Sequence, residues 1–237
     1  MMDENYLIKP QYSIGKGISA LMLSRKFFDQ HKNYIESKDS LRTLVAEKIG
    51  FPVVWLDQIH GAQVKRVCER KSVVIKNADG LYTKCPHLVL AIATADCLPL
   101  ILSNEKGTEI AALHIGWRGL YQGIIETALS FFESDLKKVS AWLAPCISVG
   151  NYIVGEDVFY SFLNSDNESI VSFQESEKVG KWFFNLKEES TRRLDLNGVK
   201  TTSDNWCTYR DEESFYSHRK DGTSGRMVTL IWKNDEE

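Results

Sequence analysis

The chain has 237 residues and a net charge of −3, from 29 Lys+Arg against 32 Asp+Glu. Hydrophobic residues make up 43% and charged residues 26%, an ordinary globular mixture that excludes collagen-like, low-complexity and fully disordered classes. Such a balance gives no general attraction for nucleic acid or an anionic membrane, and no apolar run reaches the ~20 residues that a membrane span needs.

The start, MMDENYLIKPQ, carries acids where a secretory signal carries cations, and it lacks an apolar core. A cytoplasmic protein is therefore expected. No repeat, linker or charge block interrupts the chain, so residues 1–237 read as one domain. Ile18 to Ser24 predicts a strand. Leu41, Leu44, Val45 and Ile49 repeat at helical spacing, with Asp39 as N-cap and Gly50 as C-cap. Val53 to Gln58 and Ala62 to Cys68 predict strands around a turn at His60-Gly61, Ser72 to Ile75 another strand, and Ala78-Asp79-Gly80 a turn. Leu88 to Ala95, Leu98 to Leu102 and Ile110 to His114 are short apolar runs suited to buried strands. Leu120, Ile124, Ala128, Leu129 and Phe132 mark a helix, and Val139 to Leu143 a strand. Asp157 to Leu163 and Trp182 to Leu196 have helical character. Val199 to Thr202 and Arg226 to Trp232 complete the strands. This irregular interleaving predicts an α/β (α+β) protein with mixed sheets and helices packed outside.

The five cysteines are odd in number, widely spaced and without a CxxC pair, so no disulfide framework is expected. Cys68, Cys85 and Cys146 are assigned to packing, and Cys207 has no assigned role. His31 and His87 are expected at the surface, and Trp55, Trp117, Trp142 and Trp232 mainly in the core, with Trp117 also placed to line a site mouth.

Three polar interruptions do not suit a core. His60 follows the strand VVWLDQ. Asp96-Cys97 separates two apolar runs, and a buried unpaired carboxylate costs several kcal/mol, so Asp96 needs a partner or a cavity. His114 ends the strand EIAAL, just before Gly116-Trp117-Arg118-Gly119, where glycines permit close backbone approach and Arg118 suits an anion. Each has a bland alternative: an exposed hairpin histidine, an inert core thiol, a structural turn. Together, two imidazoles and a thiolate are the protein ligands of a catalytic zinc. The same set serves blue copper, but a multicopper centre needs many more imidazoles than five histidines with no His-x-His pair supply. The spacing by itself does not show that the three converge.

Six segments in order, WLDQIHG (55–61), ADGLYT (78–83), ATADCLPLIL (93–102), AALHIGWRGL (111–120), WLAPCISVGNYIVGE (142–156) and CTYRDEESFYSHRKDGTSGRM (207–227), resemble the bacterial laccase-domain purine nucleoside phosphorylases, formerly described as multicopper polyphenol oxidases. The resemblance implies a layered α/β/β/α sandwich related to toxin-type cysteine deamidases. It implies one zinc, with copper as a substitute, on His60, Cys97 and His114. It also implies phosphorolysis of adenosine, inosine and methylthioadenosine, together with adenosine deamination. The partners are then a purine nucleoside and phosphate. The N-terminal region departs most: the family's glycine-rich stretch is replaced by LMLSRKFFDQHKNY, in which Arg25 matches the family's arginine. Ile153 stands for a glutamate, and His218 and Lys220 replace the residues of SYRRD.

For deamination, Asp96 is the nearest carboxylate to carry a proton. For phosphorolysis, Arg118 is the first phosphate contact, Arg25 the second and Arg219 the third. Gln58 and Asp79 have two readings: they orient a ligand or the substrate, or they fix their own turns. Two other classes remain. In one, Cys97 is a thiolate nucleophile activated by His114 in a metal-free amidohydrolase editing cell-wall precursors. In the other, the pocket belongs to a nucleotide- or partner-binding module without turnover. The sequence carries no signal for oligomeric state.

Overall fold

The computed structural model describes residues 4–34, 37–69 and 71–234. The first three residues of the acid-led start lie outside that range. Two six-stranded mixed sheets face each other. The first runs β1 (Leu7–Ile8), β2 (Ile18–Leu23), β15 (Met227–Lys233), β7 (Val89–Thr94), β3 (Val53–Leu56) and β5 (Val73–Ile75). The second runs β14 (Lys200–Ser203), β10 (Val139–Leu143), β8 (Leu98–Asn104), β9 (Ile110–Ile115), β6 (Gly80–Thr83) and β4 (Val64–Arg66). A small sheet adds β11 (Ile153–Gly155), β13 (Lys181–Phe184) and β12 (Phe173–Glu175).

The period-2 alternation of strands sorts side chains into layers. Val54, Leu90 and Ile92 point inward and meet Ile101, Ala112 and Trp142 of the second sheet. Their neighbours Val53, Val89 and Ala91 point outward and pack with Phe27, Phe28 and Val45 of α1 (Arg25–Gln30) and α2 (Lys38–Ile49). On the far side, Leu100, Leu102 and Leu113 pack with Ile124, Leu129, Phe162 and Leu194, carried by α4 (Ile124–Leu129), α5 (Glu156–Ser165) and α6 (Leu186–Leu196). Both faces of each central strand are therefore covered, which is why they read as unbroken apolar runs. The α/β/β/α layering implied by the sequence is present.

Four local expectations are corrected. The N-cap of α2 is Ser37, not Asp39: its hydroxyl accepts from the Ser40 N–H, and the Ser40 hydroxyl reciprocates at the Ser37 backbone. The helix expected around residues 120–132 is two, α3 (Trp117–Tyr121) and α4, parted at Gly123, whose φ of 83° ends one before the next begins. Trp182 to Phe184 form a strand rather than the start of α6, because they pair with β11 and β12 while Asn185 caps the helix. Finally, Cys68 and Cys85 form a disulfide, with Cα atoms 5.6 Å apart. Strands β4 and β6 lie side by side in parallel, Val64 opposite Gly80, so residues 17 apart in sequence meet where the strands end.

The connections place the site. The chain passes from the first sheet to the second in the segments β3→β4, β5→β6 and β7→β8. His60 lies on the first crossing, Asp79 at the end of the second and Cys97 on the third. Strand β8 runs away from this edge and β9 returns to it, with Pro99 opposite His114. One edge of the sandwich thus collects every interruption singled out in the sequence.

Candidate metal centre

His60, Cys97 and His114 converge, with their ligand atoms all within 4.8 Å of one another. The two imidazoles meet edge to face, ring centroids 4.7 Å apart. His60 is exposed, Cys97 half-buried and His114 buried, so the cluster opens to solvent on the His60 side. Gly116 makes room for it. A Cβ there would lie 3.2 Å from His60 Cδ2 and 3.3 Å from Cys97 Sγ.

The charges are mutually supporting. Burial alone would raise the Cys97 thiol, but His114 and then His60 overcome it and hold the thiol below its ordinary range. Burial alone would lower the His114 imidazole, but the Cys97 charge and the Asp79 carboxylate hold it above its ordinary range. The Asp79 carboxyl is held low despite its burial, chiefly by the bond from His114. Two neutral-nitrogen donors and a thiolate suit a borderline-soft ion such as zinc, so the donor set and the space both fit such an ion. Among the described residues this is the one group of three or more His, Cys, Asp or Glu side chains drawn together in this way.

Asp79, for which the sequence left open a ligand-orienting or a turn-fixing role, is fully buried and accepts the His114 Nδ1–H at 2.8 Å. Asp96 does not reach the ligand atoms by any hydrogen bond. Its carboxylate accepts from the Thr208 hydroxyl at 2.7 Å and from the Arg219 backbone N–H at 2.6 Å, and its own carbonyl accepts from Ile147 N–H. It ties the Cys97 crossing to the C-terminal segment. Gln58 is spent on a two-bond clamp to the Ala93 backbone, at 2.8 and 3.0 Å, which holds the first crossing against β7. Arg118, two residues beyond Gly116 in the chain, is exposed, with its guanidinium carbon 5.0 Å from the centroid of the Trp117 ring. Arg25 bonds Asp29 and the Glu212 carbonyl and lies over Tyr216, so its contacts are outside the cluster. Arg219 bonds the Ile153 carbonyl and covers Tyr152.

Sequence reading missed Thr208 and Tyr152. Tyr152 lies under the Arg219 guanidinium, whose carbon is 5.0 Å from its ring centroid, and burial, then the charge of Cys97, push its phenol upward. Neither residue has a local sequence signal, since their partners come from distant segments. Trp55, Trp142 and Trp232 are buried as expected. His31 and His87 are only half exposed: His31 bonds the Phe27 carbonyl and His87 packs on Phe51.

Fold and site together define an α/β sandwich with a histidine–cysteine–histidine centre at its sheet crossings. The chain belongs to the family described as multi-copper polyphenol oxidoreductase laccase, whose model matches residues 18–234. It is 32% identical over 241 residues to a Haemophilus influenzae protein named purine nucleoside phosphorylase, covering 95% of this chain and 98% of that one. A Xylella fastidiosa protein of the same name is 36% identical over 200 residues, covering 81% and 76%. Among solved structures, a Neisseria meningitidis protein superimposes with a TM-score of 0.87 at 27% identity, over 97% of this chain and 100% of that one. YlmD from Geobacillus stearothermophilus shares the fold, with a TM-score of 0.83 at 23% identity over 99% and 98%. Among the described residues no helix is long and apolar enough to cross a membrane.

Proposed function

We propose that this chain is a zinc-dependent purine nucleoside phosphorylase acting on adenosine, inosine and methylthioadenosine, with a second, adenosine-deaminating activity at the same centre. The observation that carries the reading is the convergence of His60, Cys97 and His114 within 4.8 Å, in a chain whose relatives are named purine nucleoside phosphorylase. In phosphorolysis the glycosidic C–N bond breaks and a C–O bond to phosphate forms. In deamination water replaces the exocyclic amine, which leaves as ammonia.

His60, Cys97 and His114 would hold the zinc, which when bound supplies a Lewis acid at neutral pH. The remaining work falls to the chain. Asp79 directs His114 toward the centre. Arg118, unpaired by any carboxylate among the described residues and propped on Trp117, offers a guanidinium to phosphate at the rim. The five histidines of the chain, two of them in this cluster, do not supply the imidazoles of a multicopper oxidase, so the copper in the family's description is better read here as a substitute ion.

A second reading rests on the Cys97 thiol lying against His114: a metal-free amidohydrolase with Cys97 as nucleophile. The two are separated by metal content and turnover of protein purified without added metal, beside Cys97→Ser and His60→Ala. The proposal expects about one zinc per chain, lost in Cys97→Ser, and phosphate-dependent release of hypoxanthine from inosine that His60→Ala abolishes. An active protein without metal, or one indifferent to His60, would overturn it in favour of the nucleophile. Stoichiometric copper with phenol oxidation would overturn both.

A further inference from the structure

Four hydrogen-bond donors converge on the carboxylate of Asp79. Oδ1 accepts from His114 Nδ1 at 2.8 Å and from the His60 backbone N–H at 2.9 Å. Oδ2 accepts from the backbone N–H groups of Gly61 at 2.7 Å and Ile59 at 3.2 Å. An ionised carboxylate has about four lone-pair sites, so its accepting capacity is matched and nothing is left over for substrate. The turn it holds is not one the backbone takes freely, because His60 has a φ of 61°, in the left-handed region that L-residues seldom enter.

We propose that Asp79 is the positioning residue of this centre, joining His60 and His114 into one unit. It holds one proton of His114 on Nδ1, so that Nε2 is the nitrogen turned toward Cys97 and the one that can give up its proton to an ion, and it pins the strained turn that carries His60. The inference deepens the metal-centre reading above and rests on it for its functional meaning. Asparagine has nearly the same shape but only one accepting oxygen. Whichever way the amide turns, its NH₂ faces either the two donors at Oδ2 or the two at Oδ1. Turned toward His114, it drives the imidazole to the other tautomer, whose Nε2–H cannot ligate a metal. The backbone bond from His114 N–H to the Asp79 carbonyl, 2.7 Å, does not involve the side chain and survives the substitution.

The test compares wild type, Asp79→Asn and, as a control, Asp57→Asn, an exposed carboxylate with no place among these bonds. In metal-stripped protein labelled with ¹⁵N, wild type should show a protected, downfield Nδ1–H resonance from His114 and slow exchange of the amides of residues 59–61. Asp79→Asn should lose one or the other, according to which pair of donors its NH₂ faces, whereas a role confined to stability would lower the melting temperature and leave both the resonance and the amide protection in place. The zinc dissociation constant, measured by chelator competition, should weaken about 10- to 100-fold in Asp79→Asn and stay unchanged in Asp57→Asn. Retention of the resonance and of amide protection in Asp79→Asn overturns the proposal. So does absence of the protected resonance from wild type, which settles the matter even if the variant fails to fold. A wild type that takes up no zinc would overturn the metal reading alone, because the resonance and exchange rates decide the role of Asp79 without metal.

Discussion

Gly116 is where the smallest change should have the sharpest effect. Added methyl carbon there would press on both His60 and Cys97, while the N–H of Gly116 and its φ of −92° are open to any residue. Gly116→Ala should therefore fold with a melting temperature near wild type yet lose most of its metal affinity and turnover; unchanged affinity would show that the cluster has more slack than its distances suggest. The crossings themselves share a residue-scale feature. Each carries one non-glycine residue in the left-handed region: His60 (φ 61°), Asn77 (φ 53°) and Asp96 (φ 89°). Such a conformation costs roughly 1–2 kcal/mol per residue, and at His60 and Asp96 it persists because carboxylate bonds overdetermine it, Asp79 around His60 and Asp96 to Thr208 and Arg219. The ligand residues were legible in the sequence because each ends an apolar strand with a side chain that a core cannot use. For Asp79 the sequence left two readings open, orienting a ligand or fixing its own turn, since the side-chain and backbone groups that it accepts from lie 18 to 35 positions away.

The elements read best from sequence are those whose pattern is set by burial on both faces: β7, β8, β9, β10 and β15 fall within a residue or two of expectation. Failures occurred where pairing overrides pattern. Trp182 continues a helical periodicity into α6, but its ring stacks on Phe159 at 3.7 Å and its backbone belongs to the small sheet. At the other end, α2 is held by a reciprocal Ser37–Ser40 box and closed by Gly50 at φ 81°. Its inward stripe is thin, with Val45 its one fully buried residue, so the cap matters. Ser37→Ala should lower stability by about 1 kcal/mol, read as a shift in the denaturation midpoint with an unchanged slope. Asp39→Ala, which removes the residue that the sequence pointed to, should cost less, since its contact is an exposed pair with Arg42.

Across the whole molecule, buried carboxylates held low set the response to acid: Asp79 at the centre, and Glu109 and Glu189 away from it. Burial alone would raise Glu109, but the Ser134 hydroxyl, the Glu133 N–H and the Tyr82 hydroxyl hold it below its ordinary 4.5. Burial alone would raise Glu189, but Arg192 and then Arg193 hold it low. A carboxylate depressed in the folded state contributes its stability in full above its unfolded value and loses it as pH falls through the folded one. The melting temperature should thus be nearly level from about pH 7 to 5 and fall below about pH 4.5. Glu189→Gln should make that acid slope shallower while lowering the plateau; an unchanged slope would assign acid sensitivity elsewhere. The disulfide is a further whole-molecule term outside the reach of the sequence, because it depends on two strands lying parallel.

The arrangement of the crossings has one more consequence. The donors come from both walls of the sandwich: His60 and Cys97 from chain leaving the first sheet, His114 from a strand of the second. Anything gripped by all three works as a rivet through the seam. Its binding energy is then not confined to a loop but opposes the parting of the two sheets, contributing about 2.7 kcal/mol at a free concentration 100 times the dissociation constant. By the same linkage, a substitution deep between the sheets, at Trp142 or Ile92 and touching no ligand, would reset the gauge of the centre and be felt there as altered affinity.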